Sequence, residues 1–384
     1  MNSNIRIEKL ILNNFRNHKY LKLDITKNIV LIYGQNGSGK TSVLESISLF
    51  DSSNGFRASN LGELVNDDYK GPLEMFGVNI LIRDTNNFIK AGIGLKKIID
   101  KYKKIISIDE KKNNKEIIKK IPKIYSIVPK MTFLFQGNSE ERRNFLDQMI
   151  FIIEDNHKKN ILNYNKYKNE RIKILKKWKI NNEDWLDAVE KKMVSHGLII
   201  CDNRRNFLKK LNFILDDLDI EFSSFQVYLN GELDELLLEK PAIEVEEIFL
   251  STLKRNREND LITGRTHYGI NKTDMIVKEK KSFKEAKTFS TGQQKTILFS
   301  LIFSFIKYLE MFPDKKAIFL LDDVFSYLDK NFISLVIEKL NELNVQTWLT
   351  DVKGDWVFEN KTYKAIIDKI NIDDKRFKLN QKKI

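Results

Sequence analysis

The chain has 384 residues, 42% hydrophobic and 31% charged, with one cysteine and a formal net charge of +13. That balance excludes a disordered chain and a disulfide framework, and the length accommodates two or three domains around a sizeable core. The positive charge suits a nucleic-acid partner, although lysine abounds along the whole chain and part of the excess is compositional.

In chain order, residues 5–12 and 20–25 read as strands, with Asn13-Asn14-Phe15-Arg16-Asn17-His18 between them. The apolar run 29–33 reads as a buried strand that feeds a glycine-rich turn, and a helix opens near Ser42. Residues 75–128 read as an antiparallel meander, with short β-rich runs at 77–82, 87–95, 103–108 and 116–121. From Ser139 the apolar period becomes helical. Ile161, Tyr164, Lys168, Ile172, Leu175 and Trp178 share one helix face. After a turn at 181–184, Leu186, Val189, Met193, Ile200, Phe207, Leu211 and Ile214 continue the stripe, which predicts an antiparallel hairpin of two long helices. Strand is expected over 224–234, helix over 241–257, helix from Gln293, strand over 317–321, helix over 330–344 and a last strand over 346–350.

The turn after the third strand is Gly34-Gln35-Asn36-Gly37-Ser38-Gly39-Lys40-Thr41, with Ser42 next. It fits the phosphate-binding loop G-x-x-x-x-G-K-[ST] at every defined position, in a strand–loop–helix frame. Glycines let backbone N–H groups turn in around an anion, and the helix N-terminus adds its positive dipole end. Lys40 would reach the β- and γ-phosphates of ATP, and the Thr41 hydroxyl would take Mg²⁺. Far along the chain, Ser290-Thr291-Gly292-Gln293 resembles the S-G-G-Q signature of ABC-type ATPases. On its own such a run is commonly a polar helix cap. The strand 317–321 ends in Asp322 and Asp323, a Walker B pattern. Asp322 would bind the Mg²⁺ shell, and Asp323 would polarise the attacking water. Tyr327-Leu328-Asp329 follows at the place of the ABC D-loop.

A phosphate loop at one end and signature plus Walker B at the other imply an α/β fold: an ABC/SMC-type P-loop ATPase head with an antiparallel β subdomain and an inserted helical hairpin arm. The expected division is 1–138 for the first half of the head, 139–258 for the arm and 259–384 for the second half. The four histidines lack ligand spacing, so no zinc site is expected. Cys201 lies in the helical stripe and is expected to be packed and inert. Residues 296–309 are broken by Lys307 and fall short of the ~18 apolar residues of a membrane span. The start carries no apolar signal-peptide core. A cytoplasmic protein with no membrane partner is expected.

Over nearly its whole length the chain resembles the RecF family of recombination and gap-repair ATPases. The resemblance rests on 12–17, on Gly137-Asn138-Ser139-Glu140-Glu141-Arg142-Arg143-Asn144-Phe145-Leu146-Asp147, on the spaced Arg257, Asp260, Gly264, Thr266 and Gly269, and on the signature and Walker B runs. Residues 270–274 depart from the family pattern except at Asp274, and Asp323 stands where most ABC ATPases have Glu, which suggests slow hydrolysis. The resemblance implies an ATP-dependent homodimer in which Ser290 and the Gly292 N–H of a second copy complete the site. It implies sequence-independent binding at single-strand/double-strand DNA junctions, RecR and RecO as partners, and RecA loading as the outcome. Arg142 and Arg143, at a helix start, would ordinarily be surface ion pairs with Glu140 and Glu141. The competing reading is an ABC-type ATPase of an anti-phage or transport system.

Overall fold

The computed structural model describes residues 5–51, 55–57, 59–69, 75–85, 87–98, 101–109, 111–112, 120–176, 183–218, 224–326, 328–343, 345–355 and 361–374. Trp178, Asn181, Asn182, Tyr327 and most of the expected strand 116–121 lie outside them. The elements in order are β1 (Ile5–Phe15), β2 (His18–Asp24), β3 (Ile29–Tyr33), α1 (Lys40–Ser48), β4 (Gly77–Asp84), β5 (Asn87–Ile98), β6 (Lys101–Ile108), β7 (Lys111–Lys112) and β8 (Lys123–Ile127). Then come α2 (Ser139–Ile153), α3 (His157–Lys176), α4 (Glu183–Asp216), β9 (Phe225–Asn230), α5 (Glu232–Glu239), α6 (Ala242–Arg255), α7 (Arg257–Thr263), β10 (Asp274–Glu279) and α8 (Thr291–Leu309). The chain closes with β11 (Ala317–Leu321), α9 (Lys330–Glu342), β12 (Thr347–Asp351), α10 (Lys361–Ile366) and β13 (Ile367–Asn371).

The chain divides into two compact units, Met1–Thr132 with Leu309–Ile384, and Phe133–Tyr308. The first unit is therefore built from both ends of the chain. Its six-stranded antiparallel sheet has the order β2-β1-β4-β5-β6-β7, and its five-stranded parallel sheet has the order β13-β3-β12-β11-β8. Its inner strands β3 and β11 are nearly continuous runs of buried apolar residues, as strands covered on both faces require. Helix α1 is buried from Ser42 to Ser48. Its Val43, Leu44 and Ile47 join one core with Leu10, Leu12, Ile80, Ile82 and Trp348.

Two strand expectations change here. The segment Lys123–Ile127, read as the end of the antiparallel meander, pairs in parallel with β11. Tyr125 and Ile127 are buried there, and an edge strand of a covered sheet gives no alternating pattern to separate it from a meander strand. Strand β13, which the sequence pattern missed, is short and interrupted by Asp368 and Lys369 on its exposed side.

In the second unit, α3 and α4 form the expected antiparallel pair. The buried stripe matches at Tyr164, Leu175, Leu186, Val189, Met193, Ile200, Phe207, Leu211 and Ile214, and Cys201 is buried with its thiol pKa pushed well up by burial. Lys168 is only half-buried, whereas Arg171 is completely buried. Arg171 donates to Glu190 Oε1 (2.7 Å), Asp260 Oδ2 (2.6 Å) and the Leu253 carbonyl (2.8 Å). Arg257 adds ion pairs to Asp187 and Glu190, and His267 donates its N–H to Asp260 Oδ1 (3.0 Å). The spaced residues Arg257, Asp260 and Thr266, whose hydroxyl accepts from Arg171 (3.3 Å), thus fasten the hairpin to the segments after it. Removing one partner of such a buried network typically costs about 3–5 kcal/mol. Gly269 has φ +132°, and a Cβ there would collide with the Tyr164 hydroxyl.

The strand expected over 224–234 ends at Asn230, and Glu232 already opens α5 with three acids in its first turn, a favourable charge for a helix N-terminus. Strand β10, unrecognised in the sequence, pairs antiparallel with β9. Residues 259–308, expected with the second half of the head, lie in the helical unit. The reason is aromatic packing: Phe305 and Tyr308 of α8 stand 6.1 and 5.5 Å from the Phe207 ring of α4.

Candidate active site

The expected phosphate loop follows β3 directly. Three of its glycines have positive φ: Gly34 at 154°, Gly37 at 81° and Gly39 at 101°. Gly39 is the N-cap of α1, so the first N–H groups of the helix open onto the loop. A Cβ at Gly39 would strike the His18 ring, so only glycine fits. Gln35 donates its N–H to Asp373 Oδ2 (2.6 Å), and Ser38 donates its N–H to the Gln35 carbonyl (3.2 Å). Those two groups are engaged within the protein. Lys40 Nζ donates to the carbonyls of Gly34 (2.7 Å) and Gln35 (2.9 Å). Ser38 Oγ is buried without a hydrogen-bond partner, which suits a polar ligand in the loop.

The segment 12–17 turns out to support this loop. Asn14 (φ 49°), near the end of β1, and Arg16 (φ 52°), in the turn to β2, adopt the left-handed conformation. Phe15 is fully buried and meets Phe76 edge-on with ring centroids 5.1 Å apart. Arg16 donates to both carboxylate oxygens of the buried Glu45 on α1 (3.0 and 2.9 Å). Asn17 donates to the Gly37 carbonyl (3.1 Å), and His18 Nε2 donates to the Gly39 carbonyl (3.1 Å). Burial pulls the His18 pKa below its ordinary value, which keeps the ring neutral for that role.

The parallel sheet brings the carboxylates to the loop. Strand β12 lies between β3 and β11, so its C-terminal end stands between the phosphate loop and the Walker B pair. Thr350, at that end, donates its hydroxyl to Asp322 Oδ1 (2.9 Å) and accepts the Asp323 N–H (2.8 Å). Thr41 donates its hydroxyl to the same Asp322 oxygen (3.0 Å). Burial raises the Asp322 pKa, the Thr350 and Thr41 bonds oppose the shift, and neighbouring Asp323 adds to it. Asp323 is exposed and held at φ 49°, a left-handed conformation that Asp tolerates better than most residues. Together these groups line a polar cleft of about 790 Å³ that includes Arg16, Asn17, Asn36, Gly37, Arg57, Lys40, Thr41, Ser42, Asp323 and Thr350. Clefts outside the carboxyl ends of parallel strands are the usual ligand sites of such sheets. Sequence reasoning missed Thr350, which it read only as buried strand. A polar residue at the carboxyl end of a strand beside Walker B was the available clue.

The signature residues lie in the other unit. Ser290 and Gln293 form a capping box at the start of α8. The Ser290 N–H and hydroxyl donate to Gln293 Oε1 (3.1 and 3.0 Å), and the Gln293 N–H points back at Ser290 Oγ (3.4 Å). Ser290, Thr291, Gly292 and Gln293 are all exposed, and a Cβ on Gly292 would meet nothing within 4 Å. Asp329 is the N-cap of α9 and accepts the Phe332 N–H (2.9 Å). Arg142 and Arg143 depart from the expected surface pairs. Arg142 forms a two-point pair with Asp274 (2.7 and 2.8 Å), and Arg143 donates to the Thr273 carbonyl (2.6 Å). Asp147 of the same segment is buried against Arg204 (2.7 Å) and His157 (3.0 Å).

The chain matches the family described as RecF/RecN/SMC N terminal domain over residues 6–369. A protein of Rickettsia felis named DNA replication and repair protein RecF is 31% identical over 365 residues, 93% of this chain and 97% of that one. Its namesake in Rickettsia akari is 31% identical over 96% of this chain and 99% of its own length. The chain belongs to the RecF family. A solved structure of the recombination mediator protein RecF-ATP in the RecFOR pathway superposes with a TM-score of 0.77 at 26% identity, covering 92% of this chain and 93% of that one. An SMC head bound to the C-winged helix domain of ScpA superposes with a TM-score of 0.52 at 15% identity and shares the fold. This RecF-family chain is thus divergent, with an ABC/SMC-type ATPase fold. Among the described residues no helix is long and apolar enough to cross a membrane, and no cluster of three or more His, Cys, Asp or Glu could hold a metal ion.

Because Thr350 ties the Asp322 carboxylate to the Asp323 backbone N–H, Thr350→Val is expected to slow ATP turnover about tenfold and to lower stability by about 1–2 kcal/mol, the usual effect of leaving a buried polar group unpaired. Steady-state phosphate release and thermal unfolding check this. Unchanged turnover would confine Thr350 to packing.

Proposed function

We infer that this chain is an ATP-dependent DNA-binding protein of recombinational gap repair and replication-fork maintenance. One observation carries the reading: a complete phosphate loop, the Thr41–Asp322 contact and Asp323 converge in one cleft, in a chain aligned nearly end to end with proteins named for DNA replication and repair. ATP would lie with its phosphates against Asn36 to Thr41 and Ser42, with Lys40 turning from its own loop to the β- and γ-phosphates. Mg²⁺ fits the Thr41 hydroxyl and the Asp322 carboxylate, hard oxygen donors in contact, since such ions take one or two protein oxygens and complete their shell from phosphate and water. When bound, it would neutralise charge on the transferring phosphate. Asp323 would orient the attacking water, and its short reach fits slow turnover.

Hydrolysis is completed between two copies in this reading. The exposed helix start at Ser290–Gln293 supports it, because a helix N-terminus favours an anion and the Ser290 hydroxyl could exchange Gln293 Oε1 for a second copy's γ-phosphate. ATP then stabilises the dimer by mass action. The paired copies would grip single-strand/double-strand DNA junctions through phosphate contacts without reading sequence, with RecO and RecR as partners and RecA loading as the result. The match to a protein of the RecFOR pathway favours this over a transport or anti-phage role.

Ser290→Arg tests the shared site. It should bind ATP with wild-type affinity and lose ATP-induced dimers and tight binding of gapped DNA, at a cap cost of only about 1 kcal/mol. Wild-type binding should be ATP-dependent, and its logarithm should fall linearly with log salt, because each phosphate contact releases counterions. Mass measurement and salt titration read both. A variant that grips DNA like wild type sinks the dimer clamp.

A further inference from the structure

The helical unit holds a second polar cavity, of about 480 Å³, walled by α2, α3, α4 and the loop 270–271. Two cations on its wall lack a carboxylate partner. Arg143 makes a single hydrogen bond, to the Thr273 carbonyl, and Lys168 makes none among the described residues. Four side-chain amides, Asn144, Asn165, Asn169 and Asn271, line the same cavity, and none has a hydrogen-bond partner among the described residues. The other charged groups on the wall are accounted for. Asp147 is committed to Arg204 and His157, and Glu140 is exposed to solvent. Burial pulls Lys168 below the usual lysine pKa; Glu140 opposes that shift and Arg143 adds to it. Burial lowers the Arg143 pKa as well, with Arg204 contributing and Glu140, Asp274 and Asp147 opposing. With Glu140 exposed and Asp147 and Asp274 committed to other arginines, two neighbouring half-buried cations favour a further anion between them.

We propose that this cavity is a phosphate-binding site, with Arg143 and Lys168 holding the phosphate charge and the four amides meeting the polar atoms attached to it. Its volume suits a ligand of nucleotide size. The phosphate belongs either to a nucleic-acid strand or to a free nucleotide, and both present the same group. The site is separate from the nucleotide cleft, so its test does not depend on the reading of that cleft.

The experiment uses the full-length chain carrying Lys40→Ala, which weakens phosphate binding in the nucleotide cleft, and follows inorganic phosphate by ³¹P line broadening. The Lys40→Ala chain should still bind phosphate. Adding Lys168→Met, which keeps helix propensity and chain length, or Asn169→Asp, which adds a negative charge on an exposed position, should weaken that binding about tenfold, the loss expected for one charge-assisted hydrogen bond. Circular dichroism melting verifies that both variants fold. Absence of phosphate binding in the Lys40→Ala chain overturns the proposal, as does undiminished binding in both double variants. Competition then names the source. Displacement by gapped DNA alone assigns a strand phosphate, displacement by AMP alone assigns a nucleotide, and displacement by both shows that the phosphate itself is the recognised group.

Discussion

Lys40→Ala is expected to weaken ATP binding at least about 100-fold, since hydrogen bonds to charged groups contribute about 1.5–3 kcal/mol each and Lys40 would make two to the β- and γ-phosphates. The lysine already sits over the loop, bonded to the Gly34 and Gln35 carbonyls. A phosphate needs only to draw the ammonium across a few ångströms of its own loop. Alanine keeps the helix start and the backbone N–H groups, so the fold is preserved and the missing charge accounts for the loss. Equilibrium binding of a fluorescent ATP analogue, with thermal unfolding as control, measures it. Affinity within tenfold of wild type would remove Lys40 from the phosphate cradle.

Asp323→Asn is expected to keep ATP binding and to reduce turnover about 10²–10⁴-fold, the range for removal of a general base. The substitution is well suited to the position. Asparagine accepts the left-handed backbone at φ 49° and keeps the N–H bond to Thr350. Asp322, bonded to Thr41, is untouched. The variant should therefore bind nucleotide, form the ATP-induced dimer and remain in it, which phosphate release and light scattering resolve. Hydrolysis at the wild-type rate would reassign the base. Loss of ATP binding would mean that Asp323 acts on the ground state and not on the water.

Much of the proposed site is legible in the sequence because the patterns that propose it are local. The phosphate loop needs glycines, Lys40 and Thr41 at fixed spacing, and eight consecutive residues carry all of it. Asp322 and Asp323 were legible for the same reason: a buried strand followed at once by two acids is a short pattern. The structure shows that Ser290 and Gln293 cap α8, so the helix-cap reading holds for the same residues that the proposed signature uses.

What escaped the sequence depends on neighbours far along the chain. Thr350 acts only because β12 lies between β3 and β11, a strand order that no local period records. Strands β8 and β13 joined the parallel sheet through partners about 190 and 340 residues distant along the chain, and short apolar runs do not state their partners. Arg142, Arg143 and Asp147 look like a charged helix surface in sequence. Their partners Asp274 and Arg204 arrive from other elements and turn Arg142 and Asp147 into internal fastenings, while Arg143 bonds only the Thr273 carbonyl and lines a cavity. Arg171 escaped likewise, since an arginine on a helix face reads as solvated until three separate segments supply its acceptors. By itself the sequence determined the α/β class, the helical hairpin and the glycine-rich turn between β3 and α1, because backbone periodicity and short-range spacing encode them. The tertiary structure alone decided which strands are neighbours, which charges are buried and which polar groups stand unpartnered around a cavity, because burial and pairing are properties of segments brought together by the fold.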